Sequence, residues 1–327
     1  MFVPESFAVA MLMMITSAIC WGSWANTYKL TRGYRFELFY WDYALGIFLI
    51  SLVYALTLGS LGDASNSFMN NVGAADTSNI ISAMVGGFIF NIANLLLVAG
   101  IEMAGLAVAF PISIGIALVV GVLLSYALQP TGDPLMLGAG VALAIVAVIL
   151  IGKAYGSLPS GRSAVSRKSI IVCIVSGVLM GLFAPFVTRA LTAGQPLTPY
   201  SIAVFFTLGA FLCCFVVNVY FMRRPLVGAP VSFEGYFRAR PVDHLLGVLG
   251  GFVWGTGTMF NFVAAGLVGV PISYAVGQSA PMVAATWGVF VWKEFRGANS
   301  RAWLFLGGMF LSYALALFFI SRAYTAG

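Results

Sequence analysis

Residues 79–101 read NIISAMVGGFIFNIANLLLVAGI, a run without a charged side chain. Because a helix of about 20 mostly apolar residues spans the hydrocarbon core of a bilayer, this run predicts a transmembrane helix. The whole chain has the same character, since 61% of its 327 residues are hydrophobic and only 8% are charged. Soluble domains carry roughly a quarter charged residues. The composition therefore excludes a soluble globular protein and predicts an integral membrane protein in contact with the lipid bilayer.

Similar apolar runs lie on both sides of this segment. The first run in the chain has no basic stretch before it, so we expect a membrane span there rather than a cleavable signal peptide. The predicted fold class is an all-α membrane protein with ten transmembrane helices. Their approximate bounds are 7–28, 38–59, 79–101, 105–128, 134–152, 169–190, 198–221, 243–267, 270–292 and 302–321.

The 16 Lys and Arg residues are distributed unevenly between the predicted loops. Fourteen lie in or beside loops 1–2, 5–6, 7–8 and 9–10, and only Arg189 and Arg322 lie on the other side. Because short cytoplasmic loops accumulate Lys and Arg, both termini are predicted to be non-cytoplasmic, in an inner or plasma membrane. The basic residues form no stripe interleaved with aromatic residues, which excludes a nucleic-acid-binding protein.

Short motifs recur in the two halves of the chain, one set at a spacing of 164 positions and the other at a spacing of 159. Gly86-Gly87-Phe88 recurs as Gly250-Gly251-Phe252, and Ser17, Gly22 and Ala25 recur as Ser176, Gly181 and Ala184. Five spans per half is an odd number, so the second half must enter the membrane from the opposite side. We therefore predict two inverted five-helix repeats, residues 1–160 and 161–327. This arrangement is typical of secondary transporters that work by alternating access.

Two ionisable residues in the predicted spans are candidates for proton coupling. A charged side chain is costly in hydrocarbon, so it is a functional candidate by default. Asp42, more than a turn inside span two, is the first candidate, because a carboxylate there suits reversible protonation. A structural ion pair or hydrogen bond with Lys29, Arg32 or Arg35 explains it equally well. Glu102, at the end of span three, is the second candidate, and an interfacial position is its alternative explanation.

Uncharged polar and aromatic residues in the spans are the candidates for substrate binding. Amide groups combined with aromatic faces suit a flat or ring-shaped neutral polar solute. Asn91 and Asn94, three positions apart, share one face of span three. Hydrogen bonds between helices, or an interfacial aromatic belt, account for such residues equally well. The predicted substrate-binding residues are Trp24, Asn26, Asn91, Asn94, Trp254, Asn261 and Gln278.

The sequence has no recognisable motif for catalysis or for a cofactor. Its four cysteines lie inside apolar runs without metal-ligand spacing, and His244 is its single histidine. Neither a phosphate-binding loop nor a Ser-His-Asp arrangement is evident. We therefore predict no enzyme activity and no cofactor, and we expect transport to use an ion gradient or to run downhill. The sequence predicts no oligomeric state.

Three segments resemble a known group of transporters. They are Cys20-Trp21-Gly22-Ser23-Trp24, the stretch from Gly86 to Gly121, and Trp292-Lys293-Glu294-Phe295. With ten spans, the chain resembles the drug/metabolite transporter superfamily, and most closely its sugar-uptake branch, the rhamnose-proton symporter and glucose/ribose porter families. Plant ureide permeases are relatives of that branch, and they also have an Asp-Tyr pair early in span two, as at Asp42-Tyr43.

This resemblance implies inward transport of a small neutral polar solute, coupled to protons. The main prediction is a proton-coupled sugar importer. A ureide or nucleobase permease, or a metabolite exporter of the same fold, is the alternative. A membrane receptor or scaffold without solute flux is a rival from a different class of protein.

Overall fold

The structure is a computed structural model that describes residues 1–62, 67–128, 132–158, 166–268, 276–277 and 279–323. Within these ranges the regular structure is entirely helical, which confirms the predicted fold class of an all-α membrane protein. The α-helices are α1 (Phe7–Ser23), α2 (Ala25–Leu30), α3 (Phe36–Leu56), α4 (Phe68–Ala74), α5 (Thr77–Ala104), α6 (Leu106–Leu128), α7 (Pro134–Gly156), α8 (Arg167–Leu182), α9 (Ala184–Thr192), α10 (Pro199–Cys213), α11 (Val219–Arg223), α12 (Phe233–Phe237), α13 (Pro241–Val268), α14 (Ala280–Thr286) and α15 (Ser300–Ala323).

Nine helical segments in the described part of the chain are long and apolar enough to cross a membrane. They correspond to predicted spans one to eight and ten. Predicted span nine contains the shorter apolar helix Ala280–Val291, and residues 269–275 and 278 of this region lie outside the described residues. The tenth span therefore stays a prediction. Large apolar side chains such as Leu135 and Leu304 are exposed at the surface, as contact with lipid requires.

Spans one and six are each interrupted by a local break in the helix. Span one breaks at Trp24, where the side chains of Asn26 and Thr27 donate hydrogen bonds to the carbonyls of Ser23 and Trp24. Such side-chain bonds to nearby carbonyls compete with the regular helix. Span six breaks at Phe183, before a proline in the first turn of α9 that has no backbone N–H to donate.

The helices form two compact units. The first unit consists of Met1–Leu95 and Phe183–Gly277, and the second consists of Leu96–Leu182 and Gln278–Gly327. Each unit contains segments from both predicted repeats, so the compact units do not follow the division at residue 160. That division describes similarity between the two halves of the sequence, and it stays a prediction.

In the first unit, glycines allow α3 and α13 to pack backbone against backbone. A Cβ atom at Gly46 would lie 2.5 Å from the carbonyl oxygen of Val248, and one at Gly251 would clash with the carbonyl oxygen of Tyr43. Neither contact leaves room for a side chain. The two helices can therefore approach closely only because both positions are glycine.

The same pattern holds where α10 packs against α5 in this unit. A Cβ atom at Gly209 would clash with the backbone of Met84, and one at Gly87 would clash with the carbonyl of Phe206. Gly209 and Phe206 lie 163 positions after Gly46 and Tyr43, their counterparts in the α3–α13 contact. Gly87 and Met84 lie 164 positions before their counterparts, Gly251 and Val248. Both contacts join one helix from each half of the chain, so the two halves use equivalent residues to pack.

In the second unit, the hydrogen bonds of Glu294 give the motif at residues 292–295 a structural role. Its carboxylate oxygens accept hydrogen bonds from the backbone N–H groups of Leu106 and Ala107, at 3.0 and 2.8 Å. These groups belong to the first turn of α6, whose N–H groups have no partner within the helix and favour a nearby negative charge. Gly105 also belongs to the contact, since a Cβ atom there would lie 2.8 Å from the carboxylate. The motif therefore holds the start of α6 in place.

Candidate functional site

Aromatic rings cluster at mid-helix level in the first unit. Phe90 and Trp254 each lie at the midpoint of a helix of 28 residues, and their rings stack at 4.6 Å between centroids. Trp21 stacks beside Trp254 at 6.2 Å, and Phe183 meets Phe90 edge-on at 5.8 Å. We call these four residues the aromatic row. Because α5 and α13 are long enough to span the membrane, their midpoints are where a transported solute would be held.

Uncharged polar groups lie beside the aromatic row. The indole Nε1 of Trp21 donates a hydrogen bond to Thr258 Oγ1 at 3.0 Å. Asn261, which is 6% exposed, lies three residues after Thr258 on α13. Gly277 lies against Trp21 and Asn261. A Cβ atom at this position would lie 2.6 Å from the Trp21 ring and 3.0 Å from the Asn261 amide nitrogen. The arrangement combines flat apolar faces with a hydroxyl and an amide, which suits a neutral polar ring.

Two of the predicted substrate-binding residues, Trp254 and Asn261, lie in or beside the aromatic row. Trp24 is buried elsewhere in the first unit, and its ring lies tilted against that of Tyr43 at 4.4 Å between centroids. Asn26 lies in α2, where its amide donates to a backbone carbonyl one turn before it. Gln278 lies outside the described residues.

Asn91 and Asn94 are buried, and their amide groups contact other protein groups. The Nδ2 of Asn94 donates to the hydroxyls of Tyr40 and Tyr43, at 3.1 and 3.3 Å. The Nδ2 of Asn91 donates to Cys214 Sγ at 3.6 Å. These contacts join neighbouring helices. Hydrogen bonding between helices was the alternative to substrate binding that the sequence left open for these residues. A direct contact of either residue with substrate stays a prediction.

A second polar site surrounds Asp42, whose side chain is 5% exposed. Asp42 Oδ1 accepts a hydrogen bond from the Tyr236 hydroxyl at 2.6 Å. Asp42 Oδ2 accepts one from the Tyr34 hydroxyl at 3.0 Å and lies 2.9 Å from His244 Nδ1. We call these four residues the Asp42 cluster. A carboxylate is satisfied there by three polar contacts despite its burial.

Four separate parts of the first unit build the Asp42 cluster. Tyr34 precedes α3, Asp42 is the seventh residue of α3, Tyr236 lies on α12, and His244 lies in the first turn of α13. A Cβ atom at Gly247 would lie 2.5 Å from the Asp42 Cβ, so α3 and α13 touch at this point. At about 1.5 Å of rise per residue, Asp42 lies about 9 Å along α3 from its start.

The explanation of Asp42 as an ion-pair partner of Lys29, Arg32 or Arg35 differs from what the structure shows. The basic side chain in contact with Asp42 is His244, with Nδ1 at 2.9 Å from Oδ2, and Arg35 pairs with Glu37 at 2.7 Å. Sequence reasoning missed His244 as a partner because the two lie in opposite halves of the chain. The sequence did contain a sign of this partner, because its single histidine lies at the start of predicted span eight.

Arg35 holds the segment of residues 224–240, which carries Tyr236. Its guanidinium donates hydrogen bonds to the carbonyls of Val227 and Ala229, the latter at 2.8 Å. The segment is thus attached at Arg35 and, through Tyr236, at Asp42, and the ring of Phe233 also contacts that of Trp41.

The two phenols of the Asp42 cluster act as hydrogen-bond donors. Burial raises the pKa of Tyr34, and the charge of Asp42 raises it further. Burial and the hydrogen bond to Asp42 likewise raise the pKa of Tyr236. Both side chains therefore keep their protons throughout the physiological range. Glu102 is exposed, belongs to the second unit and is not a member of the cluster.

Comparison with known proteins gives one consistent family. The family model described as ureide permease matches residues 39–164 and 162–321. Ureide permease 1 of Arabidopsis thaliana is 24% identical and is aligned over 97% of this chain and 97% of its own length. Ureide permease 5 of the same plant is 25% identical, over 97% of this chain and 94% of its own length.

A solved crystal structure, 16% identical in sequence, aligns with a TM-score of 0.53 over 95% of this chain and 98% of that chain. This likeness shows a shared fold. The family match confirms the prediction of a membrane transporter of small solutes rather than an enzyme, whereas the predicted sugar-uptake branch is not confirmed. The chain belongs to the ureide permease family.

Proposed function

We propose that this protein carries a small neutral ring compound of the ureide or nucleobase class across the membrane, and that the aromatic row forms its binding site. The observation that carries this proposal is the stack of Trp254 on Phe90 at mid-helix, with Trp21 and its Thr258 hydrogen bond beside it. Cyclic ureides and nucleobases are compact rings with N–H and C=O groups at their edges. Aromatic faces and a few placed polar groups are what such rings bind.

The relatives support this choice of cargo over a sugar. Several curated proteins aligned over nearly the whole chain carry the name ureide permease. Sugars also stack on aromatic rings, so the geometry alone does not separate the two classes. The sugar importer predicted from the sequence is therefore the less favoured candidate, and a competition assay distinguishes it.

The proposed mechanism is alternating access between two inverted five-helix repeats, residues 1–160 and 161–327. Several observations support the repeats. The helices α5 and α13, each of 28 residues, begin 164 positions apart, which is the spacing of one set of repeated motifs. The helix breaks at Trp24 and Phe183 lie 159 positions apart, which is the spacing of the other set. Phe90 and Trp254 are equivalent positions too, and they stack on each other. Equivalent residues that touch are expected near the axis relating two repeats.

Proton coupling is part of the proposal, with Asp42 as the proton carrier. Asp42 is buried in a span and held by hydrogen bonds from neighbours that its protonation would change. Glu102 is the weaker candidate because it is exposed near the end of α5. We propose that both termini are non-cytoplasmic, which places the Asp42 cluster at the cytoplasmic end.

Counterflow in proteoliposomes tests the proposed substrate. Labelled allantoin serves as the ureide probe, and unlabelled allantoin, uracil and rhamnose serve as competitors. We expect allantoin and uracil to compete and rhamnose to have no effect. Counterflow of labelled rhamnose without counterflow of labelled allantoin would instead support the sugar importer, and an absence of counterflow with labelled allantoin, uracil and rhamnose alike would refute solute transport.

Variants of the aromatic row test the proposed site. We expect Trp254→Ala to weaken allantoin counterflow about tenfold, since a stacked aromatic ring contributes roughly 0.5–1.5 kcal/mol beyond the apolar area that it buries. Thr258→Val keeps the side-chain shape and should show a smaller loss. Trp303→Ala is the matched control, because Trp303 is a tryptophan that is 43% exposed. Equal effects of Trp254→Ala and Trp303→Ala would contradict the assignment.

A further inference from the structure

The Asp42 carboxylate is almost completely covered by its neighbours. Its side chain is 5% exposed, whereas that of His244, in contact with it, is 27% exposed. The polar contacts of Asp42 in the described structure are with Tyr34, Tyr236 and His244. These three side chains are therefore the hydrogen-bonded groups that connect Asp42 to its surroundings.

The two phenols act as hydrogen-bond donors to Asp42, and Tyr34 is itself buried. Burial and the nearby carboxylate raise the pKa of both Tyr34 and Tyr236, so each holds its proton and serves as a donor. The neighbouring charges are already paired, Arg35 with Glu37 and Arg240 with Asp243.

An imidazole has the chemistry that the phenols lack. Its two ring nitrogens can bind and release different protons, so the ring can pass a proton without moving far. His244 Nδ1 lies 2.9 Å from Asp42 Oδ2, and because a carboxylate only accepts hydrogen bonds, we assign the hydrogen to Nδ1. A proton from water that binds Nε2 would allow the Nδ1 proton to move to Oδ2. The ring is then neutral again, Asp42 is neutral, and one proton has been taken up in all.

We propose that His244 is the proton relay that loads and unloads Asp42. This inference rests on the proposed proton-coupled transport and adds to it the residue that connects the carrier group to solvent. Neither the sequence motifs nor the family match assigned a role to His244.

The positions equivalent to Asp42 and His244 in the other halves of the chain do not form a second relay. The helix contacts at the glycines relate the two halves by 163 or 164 positions. At these spacings Asp42 corresponds to Phe205, and His244 corresponds to Ile80. Neither side chain can bind a proton. The two halves are thus equivalent in packing and different in proton chemistry, so protons would be exchanged with one side of the membrane through this route.

Proton-driven accumulation provides the transport test. An inward gradient of one pH unit can drive about tenfold accumulation at one proton per solute. We expect wild-type vesicles to accumulate labelled allantoin, and both His244→Ala and His244→Gln to lose accumulation while retaining counterflow within about twofold. Asp243→Asn is the control on the adjacent residue. Accumulation by His244→Ala at the wild-type level would overturn the proposal.

Time-resolved infrared spectroscopy tests the relay without any transported solute. A light-released proton should increase the carboxyl band of Asp42, identified as the band absent in Asp42→Asn. We expect His244→Ala to slow this increase at least tenfold and added imidazole to restore the rate, because His244 is partly exposed and the truncation leaves space there. Imidazole should not affect Asp243→Asn.

The two assays separate failure of the relay from failure of the proposed function. An unchanged infrared rate in His244→Ala, or a slow rate that imidazole does not restore, would overturn the relay whatever the vesicles transport. Wild-type vesicles that move neither allantoin, uracil nor rhamnose would refute the proposed function, and the infrared rates would still support or overturn the relay.

Discussion

Replacing Glu294 tests whether the most conspicuous charged motif of the chain is structural. Glu294→Gln keeps the shape of the side chain but leaves a single carbonyl oxygen for the two backbone N–H groups of Leu106 and Ala107, both residues being fully buried. A buried donor without a partner costs roughly 1–3 kcal/mol. Loss of the negative charge at the start of α6 adds about 0.3–1 kcal/mol. We therefore expect a destabilisation of about 2 kcal/mol.

Thermal unfolding of the purified protein in detergent measures this effect. Cys173, Cys213 and Cys214 are buried free thiols, so a thiol-reactive dye reports unfolding. A loss of about 2 kcal/mol should lower the Tm by about 4–8 °C, on the scale of roughly 2–4 °C per kcal/mol for domains of intermediate size.

Glu234→Gln is the matched control, because Glu234 forms an exposed pair with Arg238. Exposed pairs contribute about 0–1 kcal/mol, so its Tm should hardly change. An unchanged Tm for Glu294→Gln together with abolished transport would refute the structural interpretation, since the carboxylate would then act in transport itself.

Three further variants test other parts of the first unit. Gly251→Ala should lower the Tm by pushing α13 from the Tyr43 carbonyl, at a cost of about 1–3 kcal/mol, whereas Gly266→Ala on the same helix, with open space around it, should not. Tyr236→Phe removes the 2.6 Å hydrogen bond to Asp42 and should reduce proton-driven accumulation about tenfold; a reduction equal to that of the exposed control Tyr220→Phe would contradict a role for this bond. Arg35→Gln removes the contacts to residues 227 and 229 and should increase amide hydrogen exchange in residues 225–232; unchanged exchange would show that Arg35 does not hold the segment.

The proposed mechanism assigns two tasks to different levels along the helices of the first unit. The aromatic row lies at mid-helix and contains flat faces with uncharged polar groups beside them. The Asp42 cluster lies near the start of α3 and α13 and contains the titratable groups. The helix pair α3 and α13 connects them, and its glycine contacts leave little room for the helices to move independently. We expect substrate and proton to influence each other through this pair.

Local properties of the sequence were enough to predict the membrane class and most of the spans. Bilayer thickness requires about 20 apolar residues in a row, and this requirement can be checked on any stretch without knowing its neighbours. The recurrence of Gly86-Gly87-Phe88 as Gly250-Gly251-Phe252 was likewise visible in the sequence, and the helix contacts then used the same spacing. Asp42 was identifiable as unusual because a carboxylate is costly in an apolar run.

Only the tertiary structure decided which residues are partners. Asp42 meets His244 from 202 positions away, Trp21 meets Thr258 from 237, and Glu294 binds the start of α6 across 188. None of these pairings follows from the spacing along one helix, because each depends on which helices pack together and at what rotation. Close packing at Gly46, Gly247 and Gly251 sets that rotation for α3 and α13, and it brings His244 rather than a nearby lysine or arginine to Asp42.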